Sequence, residues 1–278
     1  MKSMLMQAHA KINLALDVVA KRDDGYHELD MIMLPLPIYD VLKVTISDQD
    51  EIKGLDVPLK SNTIFKAIQV MRDAFGFKAH FQVEVEKNIP MQAGLAGGSA
   101  DAAAMMKAIL ALCDIDTKEA TCLQLAKRIG ADVPFCFVNE MARVQGIGEK
   151  VRRIEHHCPF YLFLVKPKEG VSTKEAFARI DFQTCMHPDV EAAQCALKEG
   201  DYVKLCQVIG NTLEASAFEI TPIIRAIKQE LAIFGFDAIV MSGSGSTVFA
   251  LTRNQNILNN AMNTMKDQYP FTYACLIE

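Results

Sequence analysis

Pro90-Met91-Gln92-Ala93-Gly94-Leu95-Ala96-Gly97-Gly98-Ser99-Ala100-Asp101 lies between an alternating apolar run and a helix-forming one. Upstream, Phe81, Val83 and Val85 alternate with polar residues up to Lys87, which predicts a strand leading into Asn88-Ile89-Pro90. Downstream, Asp101-Ala102-Ala103-Ala104-Met105-Met106 and the residues up to Cys113 are strong helix formers. A strand, a turn of small residues and a helix together leave backbone N–H groups uncovered at a helix N-terminus. That arrangement suits an anion the size of a phosphate. A tight turn that needs glycine only for its geometry fits the same residues. The stretch has no Lys-Ser/Thr where a Walker A loop requires one, and it does not match G-x-G-x-x-G with a distant acid.

Working outward, residues 8–18 alternate with a period of two. Ala8, Ala10, Ile12, Leu14, Leu16 and Val18 fall on one face; His9, Lys11, Asn13 and Asp17 fall on the other. This predicts a strand with one buried face, with Lys11 and Asn13 on the polar one. Lys21-Arg22-Asp23-Asp24-Gly25 reads as a turn with positive φ at the glycine, delivering Tyr26 and His27 to the next segment. Residues 41–47 predict a strand. Residues 62–75 predict a helix capped by Ser61 or Asn62 and ended by Gly76. A second helix over 117–129 stops at Gly130, followed by Ala131-Asp132-Val133-Pro134, where Asp132 fits a turn or capping residue.

Past about residue 155 the pattern restarts. It predicts strands at 160–165, 238–241, 246–251 and 272–277, with helices near 173–180, 188–199, 201–210, 221–233 and 255–267. Met241-Ser242-Gly243-Ser244-Gly245-Ser246-Thr247 joins two of those strands, so it reads as a hairpin loop. A length of 278 residues suits two domains, and we divide them as 1–155 and 156–278 within the charged stretch Glu149–His157.

Half of the residues are apolar and the formal charge is −5, which leaves no electrostatic footprint for nucleic acid or an anionic membrane. A chain of this charge that binds polyphosphate needs backbone amides and one or two lysines. The eight cysteines show no C-x-x-C spacing, so they read as reduced residues of a cytoplasmic protein. No stretch approaches the ~20 apolar residues of a membrane span.

The order of these pieces carries a resemblance. Ala10-Lys11-Ile12-Asn13-Leu14, Asp24-Gly25-Tyr26-His27, Pro90–Asp101, Gly130–Pro134 and Ser242-Gly243-Ser244-Gly245 resemble the GHMP kinases across essentially the whole chain. The pairing of A-K-I-N-L with D-G-Y-H narrows the resemblance to the branch acting on diphosphocytidyl methylerythritol. It implies an α+β, two-domain GHMP kinase fold. The N-terminal, ATP-binding domain would be like ribosomal protein S5 domain 2, and the C-terminal domain ferredoxin-like, completing the substrate cleft. The implied reaction moves the γ-phosphoryl of ATP, with Mg²⁺, to a tertiary 2-hydroxyl, a step of the non-mevalonate isoprenoid route. The alternatives are another GHMP-type kinase for homoserine or a mevalonate derivative, or a non-catalytic nucleotide-binding relative.

Carried over by position, Asp132 matches the general base and Lys11 the lysine beside it. Lys87 matches a nucleotide contact. Pro90, Met91, Gln92, Ala93, Gly94, Leu95, Ala96, Gly97, Gly98, Ser99 and Ala100 match the loop around the ATP phosphates. Tyr26 and His27 match the cytosine-recognising pair, with Asn13 beside them in the substrate pocket. The chain departs from the family pattern at Ala96 (often glycine), Ala100 (usually serine) and Met33 (aromatic in some members). Val171-Ser172-Thr173 resembles a family loop without an assigned contact. The implied partner is a small molecule, with no nucleic acid or membrane, for a monomer or homodimer.

Overall fold

The alternation over residues 8–18 belongs to a longer strand, β1 (Ser3–Lys21), in a computed structural model that describes residues 2–278. The chain reverses through the expected turn, with Gly25 at φ 83°. It returns as β2 (His27–Ser47), antiparallel to β1 along almost its full length. The ladder slips between His9 and Lys11 and again between Asn13 and Ala15. Each slip changes which face a residue presents. Ala8, Leu16 and Val18 therefore join one core cluster, whereas Ala10, Ile12, Leu14 and Ala15 join a second. The one-face reading fails here because both faces of β1 are covered. Lys11 and Asn13 are 3% and 1% exposed.

The sequence reading also found only the last third of β2. Pro35 and Pro37 are tolerated within this strand because they fall in a stretch that pairs with β1 alone, so one edge needs no donor. On that other edge β4 (His80–Glu86) pairs with Val41–Ser47, after β3 (Glu51–Lys53) and α1 (Thr63–Phe75). Asn62 caps α1 by accepting from Ile64 N, and Gly76 ends it at φ 68°. Then come α2 (Gly97–Leu112), α3 (Glu119–Ile129), α4 (Val133–Val138) and the hairpin β5 (Ala142–Gly146)–β6 (Lys150–Arg153). β5 pairs with the start of β2, completing a six-stranded sheet. α4 and this hairpin were not read from the sequence. α4 is a six-residue helix, too short to show a period.

The second half builds its own sheet. β7 (Phe160–Lys166) is followed by α5 (Thr173–Ala178), α6 (Val190–Glu199), α7 (Tyr202–Val208), α8 (Glu214–Ile220) and α9 (Ile223–Phe234). β8 (Ala238–Met241), β9 (Val248–Thr252), α10 (Gln255–Met265) and β10 (Phe271–Ile277) follow. The strand order is β10-β7-β9-β8, all neighbours antiparallel, which is the ferredoxin-like arrangement. α9 and α10 bury Ile227, Leu231, Leu258 and Met265 in the first cluster. The other face of the sheet places Leu162, Leu164 and Phe249 in the second cluster, beside Ile12 and Leu14 of β1 and Leu34 of β2. That shared core holds the two sheets against each other. At ~25 cal/mol per Å² of apolar surface, a joint made of fully buried aliphatic side chains is stiff enough to position groups on both sides.

Candidate active site

Where the two halves meet there is a cleft of about 750 Å³, within the usual range for ligand sites. The quoted loop forms one wall. α2 begins at Gly97 after Ala96, which sits in the left-handed region at φ 58°. Ala96 O accepts from Ser99 N and Ala100 N, both at 2.9 Å. The amides of Gly97 and Gly98 are left without a protein acceptor among the described residues. The helix dipole adds to their partial positive charge. Ala93, Leu95 and Ala100 are buried, and Ala100 points into the first core cluster. A serine hydroxyl at position 100 would meet that core.

Lys11 crosses beneath the loop. Its Nζ donates to Asn13 Oδ1 at 2.7 Å and Gly94 O at 3.1 Å, and lies 3.5 Å from Asp132 Oδ2. An ammonium has three N–H donors. Two are spent on short bonds, and the third faces the carboxylate and the cleft. Asp132 heads α4 without capping it, and its side chain is 33% exposed. An aspartate that spends no oxygen on its own helix is free to act on something in the cleft. The structure therefore brings Lys11, Asn13, Asp132 and the Gly97–Gly98 amides to one cavity.

Lys87 also lines the cleft, at the end of β4. Its ammonium bonds Asp40 Oδ2, and Asp101 Oδ2 at 2.8 Å. Burial opposes the charge on Lys87, but these carboxylates hold it above its ordinary value. Asp40 is fully buried and also accepts from Asn88 N (2.6 Å) and Ile89 N (2.8 Å). It thus fills the unpaired edge of β2 and fixes the approach to the loop. Asp101 is buried and raised, chiefly by desolvation and against the pull of Lys87, to about 7. Neither carboxylate was singled out from sequence. Only the chemistry of Lys87, a charge that must be paired when buried, could have prompted a search for them.

Tyr26 and His27 stand apart. The ladder places His27 opposite Lys21, at the far end of β1 from Asn13, so Asn13 is not beside them as expected. Tyr26 is 61% exposed. The His27 ring lies 4.9 Å from Phe177, which lines the cleft, and stacks at 6.2 Å with Phe182. Burial, then the charge of Lys21, pushes the His27 imidazole down. The two phenylalanines come from the second half and were missed, since apolar residues in and after a short helix read as packing. Met33 is fully buried in the first core cluster, away from His27.

The second glycine-rich loop is the hairpin turn between β8 and β9, as read. It packs on the first. Ser242 Oγ donates to Gly94 O (3.1 Å) and accepts from Asn13 N (3.3 Å), while Thr247 N donates to Ala93 O (3.2 Å). Gly94 has φ 73°, and a Cβ there would lie 2.1 Å from Ser242 O. Val171, Ser172 and Thr173 line the cleft, and Thr173 Oγ1 meets Ser244 Oγ at 2.7 Å.

A helix start with unpaired amides and a lysine–aspartate pair beside it, on one cleft between the two halves, is the arrangement of a phosphoryl-transferring enzyme, and the family models make the class a GHMP kinase. The family models described as GHMP kinases N terminal domain and GHMP kinases C terminal match residues 62–140 and 193–270. Relatives with full-length likeness narrow this. A 4-diphosphocytidyl-2-C-methyl-D-erythritol kinase of Clostridium tetani is 37% identical over 277 residues, covering 97% of this chain and 98% of the relative. One of Bacillus cereus is 36% identical, covering 98% and 96%. The crystal structure of a 4-(cytidine 5'-diphospho)-2C-methyl-D-erythritol kinase matches with a TM-score of 0.83 at 28% identity, covering 98% of each chain. A homoserine kinase from Cytophaga hutchinsonii shares the fold, with a TM-score of 0.79 at 19% identity, covering 100% of this chain and 95% of that one. The chain belongs to the 4-diphosphocytidyl-2-C-methyl-D-erythritol kinase family, within the GHMP kinases. Membership implies ATP as co-substrate. Among the described residues, no helix is long and apolar enough to cross a membrane.

Proposed function

We propose that this chain transfers the γ-phosphoryl of ATP to the 2-hydroxyl of 4-diphosphocytidyl-2-C-methyl-D-erythritol, with Asp132 as the base. One observation carries the reading: Lys11 Nζ, the Asp132 carboxylate and the unpaired Gly97–Gly98 amides border a single cleft. Phosphoryl transfer is mostly positioning and charge stabilisation, so little covalent chemistry is asked of the protein. The loop amides cradle the phosphates, and Lys87 sits at their side. Asp132 accepts the hydroxyl proton as the O–P bond forms, which helps a crowded, weakly acidic tertiary alcohol most. The third N–H of Lys11 steadies charge between the carboxylate and the transferring group. Asn13 acts by aiming that ammonium through its Oδ1.

Magnesium fits this site as a metal carried largely by the nucleotide. Among the described residues, no group of three His, Cys, Asp or Glu side chains is placed to hold one. Ser99, which lines the cleft at the start of α2, would supply a hard oxygen of the kind Mg²⁺ accepts alongside phosphate, leaving the Asp132 carboxylate as the base. When bound, it would neutralise charge on the phosphates.

The choice of alcohol rests on Tyr26 and His27, which a kinase with no pyrimidine to read would not need, together with the named relatives. His27 against Phe177 and Phe182 supports an aromatic platform built from both halves. Domain limits at 1–155 and 156–278 and a cytoplasmic location belong to the same proposal. All eight cysteines are free thiols, as a reducing compartment allows. ADP release with the diphosphocytidyl alcohol, homoserine and mevalonate in parallel tests the assignment. Turnover with the first alone is expected; a higher kcat/KM with either of the others, or none with any, rejects it.

A further inference from the structure

The loop between α5 and α6 carries a second cluster of reactive groups that phosphoryl transfer does not use. Cys185 Sγ lies 3.4 Å from His187 Nε2, and His187 Nδ1 lies 2.6 Å from Asp17 Oδ1 of β1. Asp17 is only 16% exposed and is held by Thr212 Oγ1 at 3.1 Å. The loop is pinned at both ends. Cys185 N donates to Asp181 O at 2.8 Å, and Asp189 caps α6 by accepting from Ala192 N at 2.9 Å. Between these, the end of the Met186 side chain packs against Gly210.

The ordering of Asp17, His187 and Cys185 fixes the chemistry. A carboxylate only accepts, so Nδ1 carries the proton of that bond. In the neutral ring Nε2 then keeps its lone pair, and that lone pair points at the thiol. This is the relation of a nucleophile to its base, with a third group orienting the base. A metal site is a poorer fit, because Asp17 already occupies Nδ1 and the three groups lie in a row.

We propose that Cys185 is a thiol–disulfide exchange site for small neutral disulfides, activated by His187 as base and Asp17 as positioning residue. The Sγ–H proton passes to Nε2 while sulfur attacks one sulfur of the disulfide. A new S–S bond forms to Cys185, the old one breaks, and the departing thiolate takes the proton back from Nε2. One disulfide is exchanged for another, with no further oxidant. Burial, together with the Asp17 and Asp181 carboxylates, pushes the Cys185 thiol up. Standing thiolate is therefore scarce, and the reaction depends on the imidazole. Phe182, three residues before Cys185, stacks on His27, so a modified thiol would sit beside the aromatic platform.

Solvent access alone makes a different prediction, since Cys195 on α6 is exposed and Cys185 is only intermediate. The full reduced chain is treated with 2-hydroxyethyl disulfide at neutral pH, quenched at partial conversion, and its peptides are quantified by mass spectrometry. Cys185 is expected to react about tenfold faster than Cys195, and His187→Gln to erase that lead while leaving the Cys195 rate unchanged. Asp17→Asn is expected to reduce the lead as well. The proposal is overturned if Cys195 reacts as fast as Cys185 in the unaltered chain, a comparison that needs no variant. It is equally overturned if His187→Gln keeps the lead.

Discussion

Gly94–Ser99 and Ser242–Ser246 are both short stretches of glycine, serine and small residues that border the same cleft, yet they are built into it differently. The first opens a sixteen-residue helix, and two of its amides face the cleft unpaired. The second is buried throughout; its Ser242 hydroxyl donates to Gly94 O of the first loop, while Ser244 Oγ meets Thr173 Oγ1 and Ser246 Oγ bonds Glu169 O. Gly94 and Gly243 both serve the approach of one loop's backbone to the other, whereas Gly97 and Gly98 at the start of α2 leave amides open to a ligand. Composition cannot separate these uses; the element that follows the loop can. A helix offers unpaired donors, whereas a strand consumes its donors in the ladder.

The contact between the loops is the first thing to break. Gly94→Ala combines a left-handed φ with a Cβ 2.1 Å from Ser242 O, and should cost about 3–4 kcal/mol by denaturant unfolding. Gly243→Ala, whose nearest clash is 3.2 Å, should cost about 1–2 kcal/mol. Equal losses would mean that the loops do not press on each other as described. Asp101 sharpens the contrast differently, because the first loop stands over its buried carboxylate. Its carboxyl rises from an ordinary value near 3.8 to about 7 on folding. Between those values the folded state binds the extra proton, so this group's contribution to stability falls as pH rises from about 4 to 7. Unfolding measured across that range should show this downward slope flattened in Asp101→Asn. An unchanged slope would remove Asp101 as its source. The smallest effect is at Ala96, where Gly would relieve about 1 kcal/mol of left-handed strain. Ala96→Gly should raise the melting temperature slightly, and a clear fall would contradict the strain.

Much of this site was legible in sequence because motif residues sit at fixed distances from turns and helix ends. Gly25, Gly76 and the run to Asp101 each announce a backbone need that few alternatives satisfy. The rest was hidden for identifiable reasons. The alternation around Lys11 survives two ladder slips that reverse its faces, so a buried lysine looked solvated. Asp40 is remote in sequence from the loop it anchors, and one aspartate has no pattern. Phe177 and Phe182 acquire meaning only when the second half folds against His27.

Turnover by Asp132→Asn, measured beside its ADP affinity, bears most directly on the chemistry. The isosteric amide keeps the space at the head of α4 but cannot take a proton. The account predicts that kcat with the diphosphocytidyl alcohol falls by about 10²–10⁴ while ADP binds within about twofold of the unaltered chain. A variant that folds, binds ADP and retains near-full kcat would show that the carboxylate 3.5 Å from Lys11 is not the base.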